Sequence, residues 1–192
     1  MVSRWKPDAS GRLVKAALEL FDERGYDATT VAEIAASAGL TKRTFFRHFA
    51  DKREVLFSGS EELAELLVAT VAAAPPEASA WAAVEAGLDA IAATFSERYA
   101  FARVRARVIA ANPELAEREL IKLDSLAEAV AGALRARGVG DHAATLAAQT
   151  GIGVFHVAFG RWIDQDQPGA LPSLMRESFE ELAALTGPAA GR

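Results

Sequence analysis

The chain has 192 residues, of which 51% are hydrophobic and 24% charged, and its formal net charge is −5. This supply of apolar side chains is large enough for a buried core, which excludes a disordered chain. The absence of cysteine excludes disulfides, and the three histidines lie too far apart in sequence for a familiar local metal signature. We therefore expect no metal and no other cofactor.

The N-terminal residues carry charge without a following apolar run, so the sequence predicts no secretory signal. The most apolar stretch, residues 63–74, contains Glu65 and is well short of the roughly 20 residues that a membrane span requires. These two features predict a soluble, cytoplasmic protein with no membrane partner.

Charge is distributed unevenly along the chain. Residues 1–53 hold 10 Lys and Arg against 7 Asp and Glu, whereas the remaining residues hold 11 against 19. A positive segment can approach nucleic-acid phosphates while an acidic remainder stays soluble and away from the duplex. An excess of three positive charges in about fifty residues also arises by chance. Charge alone therefore does not predict DNA binding, and the sequence motif within residues 1–53 is needed.

The first predicted helix covers residues 9–24, in which apolar side chains recur at helical spacing and Gly25 follows as a stop. Thr30 and Glu33 then match a capping box, in which each side chain satisfies a free backbone N–H of the other residue. This box predicts the start of a second, short helix, and Gly39 is placed to end it with a left-handed turn.

Thr41 is placed to cap a third short helix, with Phe45 and Phe49 four residues apart on its inward face. The opposite edge carries basic, hydroxyl and aromatic side chains: Lys42, Arg43, Thr44, Phe46, Arg47 and His48. Such groups can reach guanine, phosphate, sugar or methyl groups, so the pattern predicts a helix-turn-helix that reads a major groove. A solvated structural helix is the alternative, and an outward Phe46 argues against it.

Residues 29–35, followed by 38–41, 44–49 and Lys52, resemble the signature of the tetracycline-repressor (TetR) family. The resemblance implies an all-α chain with an N-terminal three-helix bundle that contains the helix-turn-helix. It also implies a C-terminal helical bundle that binds a small-molecule effector and forms a homodimer. Release of the DNA operator on effector binding makes a repressor the expected function.

The resemblance also implies roles for individual side chains. Thr30 and Lys52 would bond phosphate at helix starts, and His48 would contact the DNA backbone. Residues 41–44 and Arg47 would face the bases. These assignments make residues 30–52 the expected DNA-binding site.

One position departs from the family pattern, because Phe46 stands where the family usually has tyrosine, and only packing is expected there. Arg43 and Arg47 lie one helical turn apart, and we expect one of them to make a bidentate guanine contact, with phosphate clamping as the alternative. Arg4 and Lys6 would form either a minor-groove arm or a frayed terminus, and the latter is favoured. Since one short helix reads few base pairs, we expect a homodimer on palindromic double-stranded DNA.

Residues 51–54 repeat the pattern of a capping residue followed by an acid, and predict a longer fourth helix that contains residues 55–57. Further helices are predicted at residues 80–95, 99–111, 113–137, 141–164 and 171–185. The sequence thus predicts a DNA-binding domain of residues 1–53 and an effector-binding and dimerisation domain of residues 54–192.

Bulky aromatic and polar side chains of the second domain are candidates for the effector pocket: Phe95, Tyr99, Phe101, Phe155, His156, Phe159 and Trp162. Ordinary core is the alternative for each of them. Gly151, Gly153 and Gly160 each lower helix stability by about 1 kcal/mol relative to alanine. They predict either close approach of another helix or room for a ligand, and the family resemblance implies a four-helix dimer interface in this region.

The sequence shows no nucleophile with a base, no metal-ligand set and no phosphate-binding glycine loop, so an enzyme is not expected. Two alternatives to an effector-released repressor remain. One is an architectural or constitutive DNA-binding protein with no ligand, and the other is a helix-turn-helix used as a protein-interaction module.

Overall fold

The computed structural model describes residues 9–95, 98–165 and 170–186. Within these residues helices are the only regular secondary structure, which confirms the all-α prediction. The helices are α1 (Ala9–Arg24), α2 (Val31–Ser37), α3 (Lys42–His48), a 3₁₀ helix (Glu54–Phe57), α4 (Ser60–Ala73), α5 (Ala80–Ala93), α6 (Tyr99–Ala110), α7 (Pro113–Ala136), α8 (Asp141–Ile163) and α9 (Leu171–Thr186).

The helices α1 and α5 to α9 begin and end within two residues of the predicted positions. The prediction of a longer fourth helix that contains residues 55–57 is wrong. Asp51 does accept hydrogen bonds from the backbone N–H groups of Arg53 and Glu54, but only a 3₁₀ helix follows. Gly59 then adopts a φ of 83°, a left-handed conformation that interrupts a right-handed helix, and α4 begins after it.

The described chain divides into two compact units. The first unit contains the residues through Ser60 together with Val104–Glu117, and the second contains Glu61–Arg103 and the residues from Arg118 onward. The boundary predicted after residue 53 therefore falls inside the first unit.

The core of the first unit explains why its boundary lies later than predicted. Val55, Leu56 and Phe57 are buried in the same cluster as the apolar faces of α1, α2 and α3. Val108 and Ile109, from the end of α6, join that cluster as well. These side chains belong to the core that holds the helix-turn-helix, although they lie beyond the recognisable motif.

Arg105 anchors the 3₁₀ helix within the first unit. Its Nε donates a hydrogen bond to the backbone carbonyl of Leu56 at 2.6 Å, and its guanidinium lies 5.3 Å from the centre of the Phe57 ring. Arg107, one half-turn further, instead pairs with Asp22 of α1 at 2.8 Å. These two arginines have different partners on different elements, as expected for side chains that point in different directions around a helix.

Helix α5 lies at the centre of the second unit and packs on both α8 and α9. At Gly151 of α8, an added Cβ would lie 2.4 Å from Cγ1 of Val84 in α5, closer than real Cβ contacts come. The close helix approach predicted for the α8 glycines is therefore present at Gly151. At Gly153 and Gly160 an added Cβ would meet no atom of the described residues within 4 Å.

Among the described residues, α8 is the one helix long and apolar enough to cross a membrane by length and composition. It has 23 residues and is longer than the apolar stretch of residues 63–74. Core helices of soluble proteins pass the same test, and α8 buries seven residues. Two of its apolar side chains, Leu146 and Val157, lie on an exposed outer face described below.

Candidate nucleic-acid interface

Local hydrogen bonds set the start of both helices of the helix-turn-helix. Thr30 Oγ1 accepts from the backbone N–H of Glu33 at 3.3 Å, and the Glu33 carboxylate accepts from the backbone N–H of Thr30 at 2.9 Å. Thr41 Oγ1 accepts from the backbone N–H of Thr44 at 3.1 Å at the start of α3. Gly39, between the two helices, has a φ of 67°. The predicted caps and the predicted glycine turn are confirmed.

The rotation of α3 is set by its inward phenylalanines. Phe45 has none of its surface exposed, Phe49 is buried as well, and their ring centroids lie 5.5 Å apart. The opposite edge of α3 therefore faces outward, with these exposed side chains: Lys42, Arg43, Phe46, Arg47 and His48. Thr44, predicted to lie on that edge, is half-buried, and its hydroxyl lies 3.0 Å from the Thr41 hydroxyl.

The outward edge of α3 carries positive charge that the first unit does not neutralise locally. No carboxylate of the described residues forms an ion pair with Lys42, Arg43 or Arg47. Arg47 Nη2 lies 3.5 Å from His48 Nε2, so these two side chains lie side by side on the surface. The edge can thus meet an anionic backbone or the acceptor groups of guanine.

Two predicted phosphate ligands make hydrogen bonds inside the protein. Thr30 Oγ1 donates to the Glu33 carboxylate at 2.7 Å. The ammonium of Lys52 contacts backbone carbonyls of the turn between α1 and α2. Lys52 also precedes a 3₁₀ helix and does not lie at the start of an α-helix. Arg4 and Lys6 lie outside the described residues.

The turn at residues 25–29 contributes to the site, although no local sequence pattern identifies it. Tyr26 is buried, and this burial raises the pKa of its phenol to about 12, so the ring stays neutral. The Thr29 hydroxyl, also buried, donates to the Gly25 carbonyl at 2.8 Å. Arg12 of α1 donates to the carbonyl of Ala38 at 3.2 Å and so holds the end of α2.

Two protein-family models match the chain in succession. The model described as bacterial regulatory proteins, tetR family, matches residues 13–58. The model described as the MftR C-terminal domain matches residues 78–186, more than half of the chain. The chain belongs to the TetR family.

One relative resembles about a third of the chain. The HTH-type transcriptional regulator TcmR of Streptomyces glaucescens is 42% identical over 64 residues, which are 33% of this chain. The chain spans only 28% of the length of TcmR.

Two solved structures resemble nearly the whole chain. The fatty acid degradation regulator FadR from Bacillus halodurans has a TM-score of 0.65 and is 20% identical, with 98% of this chain and 100% of that chain covered. FadR of Thermus thermophilus, solved in complex with lauroyl-CoA, has a TM-score of 0.58 and is 22% identical, with coverage of 95% and 100%. At these identities the two structures show a shared TetR-family fold.

The second unit brings five of the seven predicted pocket residues together. Their rings pack with centroids 5.0 to 6.4 Å apart and form an aromatic cluster: Phe95, Tyr99, Phe155, Phe159 and Trp162. Phe101 and His156 are exposed and lie outside this cluster. The five rings thus contact one another within the second unit.

The outer face of α8 is apolar and open. Leu146 and Val157 are 53% and 56% exposed, and Gly153 lies between them on the same stripe. Gly160 continues this stripe one turn beyond Val157. We call these four residues the α8 stripe. Each glycine in it lowers helix stability by about 1 kcal/mol relative to alanine, and no contact within the described chain offsets that cost.

Substitution of Phe45, which is buried, and of Phe46, which is exposed, tests the rotation of α3. Phe45→Ala should lower the free energy of unfolding by about 3–5 kcal/mol, because it empties a fully buried site. Phe46→Ala is the matched control, and should change it by no more than about 0.5 kcal/mol, because the Phe46 ring is largely exposed. Urea denaturation measures both values, and equal losses would contradict the observed rotation.

Proposed function

We propose that this chain is a sequence-specific transcription regulator that binds a palindromic DNA operator as a homodimer. In this proposal it is a repressor, acts in the cytoplasm, performs no enzymatic reaction and leaves its operator when a small-molecule effector binds. The observation that carries the proposal is the burial of Phe45, which turns Lys42, Arg43 and Arg47 of α3 outward on a helix-turn-helix.

The outward side chains of α3 differ in what they can recognise. Arg43 and Arg47 lie one turn apart, so both can enter one major groove, where a guanidinium can bond guanine O6 and N7 together. Lys42 and His48, at the two ends of the helix, are suited to phosphate contacts, which fix the register without choosing sequence. Phe46 offers its ring for packing on sugar or thymine methyl groups.

Selection of bound duplexes from a random DNA pool tests whether α3 recognises a specific base sequence. We expect an enriched palindrome whose half-sites lie about one helical turn apart. Arg43→Ala or Arg47→Ala should then relax the preference at one guanine, by about 1–3 kcal/mol of discrimination. Lys42→Ala should weaken binding to all sequences alike and lower the salt slope by about one.

An unenriched pool would contradict sequence-specific reading. It would favour a protein-interaction role for the helix-turn-helix. An unchanged DNA affinity in both arginine variants would contradict the assignment of α3 as the helix that contacts the bases.

The homodimer is supported by two independent features. Helix α3 has only seven residues and reads few base pairs, so adequate affinity needs two copies. The α8 stripe provides an apolar surface on which a symmetry-related helix can lie, and its glycines allow close backbone approach.

The substitution Val157→Glu tests the α8 stripe as the dimer interface. It places a carboxylate at the exposed centre of the stripe and should convert the dimer to a monomer in analytical ultracentrifugation. Binding to the palindrome should fall while the weak binding to a single half-site persists. Ala129→Glu, at an exposed position of α7, is the matched control and should stay dimeric. A dimeric Val157→Glu variant would place the interface elsewhere.

The aromatic cluster of the second unit is the proposed effector site. Apolar rings suit a ligand with a large apolar part, and the Tyr99 hydroxyl already donates to the backbone carbonyl of Gln165. Because the rings contact one another, we propose that the effector separates them. Differential affinity for the separated arrangement is what would couple the effector to operator release.

Lauroyl-CoA, the molecule bound in the Thermus thermophilus structure, is the first candidate to test against unacylated CoA as control. A hundredfold excess over the dissociation constant stabilises a protein by about 2.7 kcal/mol, which should raise Tm by several degrees and lower operator affinity. Phe159→Ala should weaken this response, whereas Phe101→Ala, outside the cluster, should retain it. An operator affinity that ignores every acyl-CoA would favour the alternative, a constitutive or architectural DNA-binding protein with no ligand.

A further inference from the structure

The ammonium of Lys52 lies within hydrogen-bond distance of three backbone carbonyl oxygens. These belong to Tyr26 at 2.8 Å, Asp27 at 3.4 Å and Thr29 at 3.2 Å. The same nitrogen lies 4.1 Å from the centre of the Tyr26 ring. A lysine ammonium has three N–H donors, and these contacts account for all of them.

The turn at residues 25–29 is stabilised by the positive charge of the Lys52 ammonium. Carbonyls that approach one point bring their partial negative charges together, and the ammonium neutralises them. The Thr29 hydroxyl donates to the carbonyl of Gly25 at 2.8 Å and also lies 3.3 Å from the carbonyl of Leu20. Tyr26 is neutral and presents its ring face to the cation, which adds a cation–π attraction. The turn is thus held by the side chains of Lys52 and Thr29.

Lys52 connects the two segments of the chain that flank the helix-turn-helix. Residues 26–29 lead directly into Thr30, the N-terminal cap of α2, and Lys52 follows the end of α3. One ammonium therefore joins the chain entering the helix-turn-helix to the chain leaving it, across 23 to 26 residues of sequence. The orientation of α2 and α3 is restrained at both ends by a single side chain.

We propose that Lys52 is a positioning residue that holds the helix-turn-helix in its reading orientation, and is not itself a phosphate ligand. The proposal rests on the DNA-binding function proposed above. A phosphate contact would require the ammonium to leave three carbonyls and an aromatic face. Lys42, which is exposed on α3, can meet a phosphate without such a loss.

The substitution Lys52→Met tests this role, because it keeps an apolar stem of similar length and removes the donors and the charge. We expect a Tm lowered by about 3 °C or more. At a temperature well below both Tm values, duplex affinity should fall about tenfold. The slope of log affinity against log salt concentration should stay unchanged, since no phosphate contact is lost.

Lys42→Met is the matched control, and should keep the wild-type Tm while its salt slope falls by about one. Lys52→Arg is the second variant, because arginine retains the charge and binds phosphate well but has no single nitrogen with three N–H donors for three converging carbonyls. It should also show a lowered Tm and weaker DNA binding, and it decides the matter if Lys52→Met does not fold.

Three results would overturn the proposal. One is a Lys52→Met variant with wild-type Tm and a salt slope lowered by about one. Another is a Lys52→Arg variant with wild-type Tm and affinity, as a phosphate ligand predicts. The third is a lowered Tm with unchanged affinity, which would mean a purely structural role. If the wild-type protein binds no duplex, the proposed function fails, and the Tm values still compare the two lysines.

Discussion

Phe45 has no exposed surface, and it belongs to a helix of only seven residues. A helix of two turns contains too few internal hydrogen bonds to be stable alone, so the buried ring supplies its stability. The same ring also fixes the helix rotation, because any other rotation would expose it to water. The direction in which Arg43 and Arg47 point is therefore a consequence of core packing and not of their own contacts.

The restraint from the core is completed by contacts at the ends of the motif. Thr30 and Thr41 cap α2 and α3, and Gly39 allows the tight turn between them. Lys52 joins the two outer ends through the turn at residues 26–29. A rigid first unit presents its recognition groups already in place, which lowers the entropic cost of binding.

Features with a short sequence range could be predicted from the sequence. The capping box of Thr30 and Glu33 involves residues three apart, and a glycine in the left-handed region acts on its immediate neighbours. The outward edge of α3 followed from the four-residue spacing of Phe45 and Phe49. For this reason most helix ends, and the exposed cations of the candidate site, could be predicted from local patterns.

Features that depend on the tertiary arrangement could not be predicted in this way. The position of the Lys52 ammonium is determined by hydrogen bonds to carbonyls more than twenty residues away in sequence. No residue near Lys52 in the sequence indicates these contacts. The capping pattern at Asp51 predicted a continuous helix, whereas the left-handed conformation of Gly59 ends the short 3₁₀ helix that forms there. The aromatic residues of the second unit were recognisable as bulky, but whether they surround a space or fill it depends on how α5, α6 and α8 meet.

The buried Phe45 ring sets the rotation of α3, whereas in α8 the absence of a side chain has this effect. Gly151 has no Cβ, and this lets α8 approach Val84 of α5. Positions 84 and 151 therefore share one fixed volume. Among proteins built on this arrangement, a larger residue at position 151 is tolerable only with a smaller one at position 84, so the two positions should covary. That covariation would mark the helix pair whose spacing keeps the outer face of α8 turned away from its own chain.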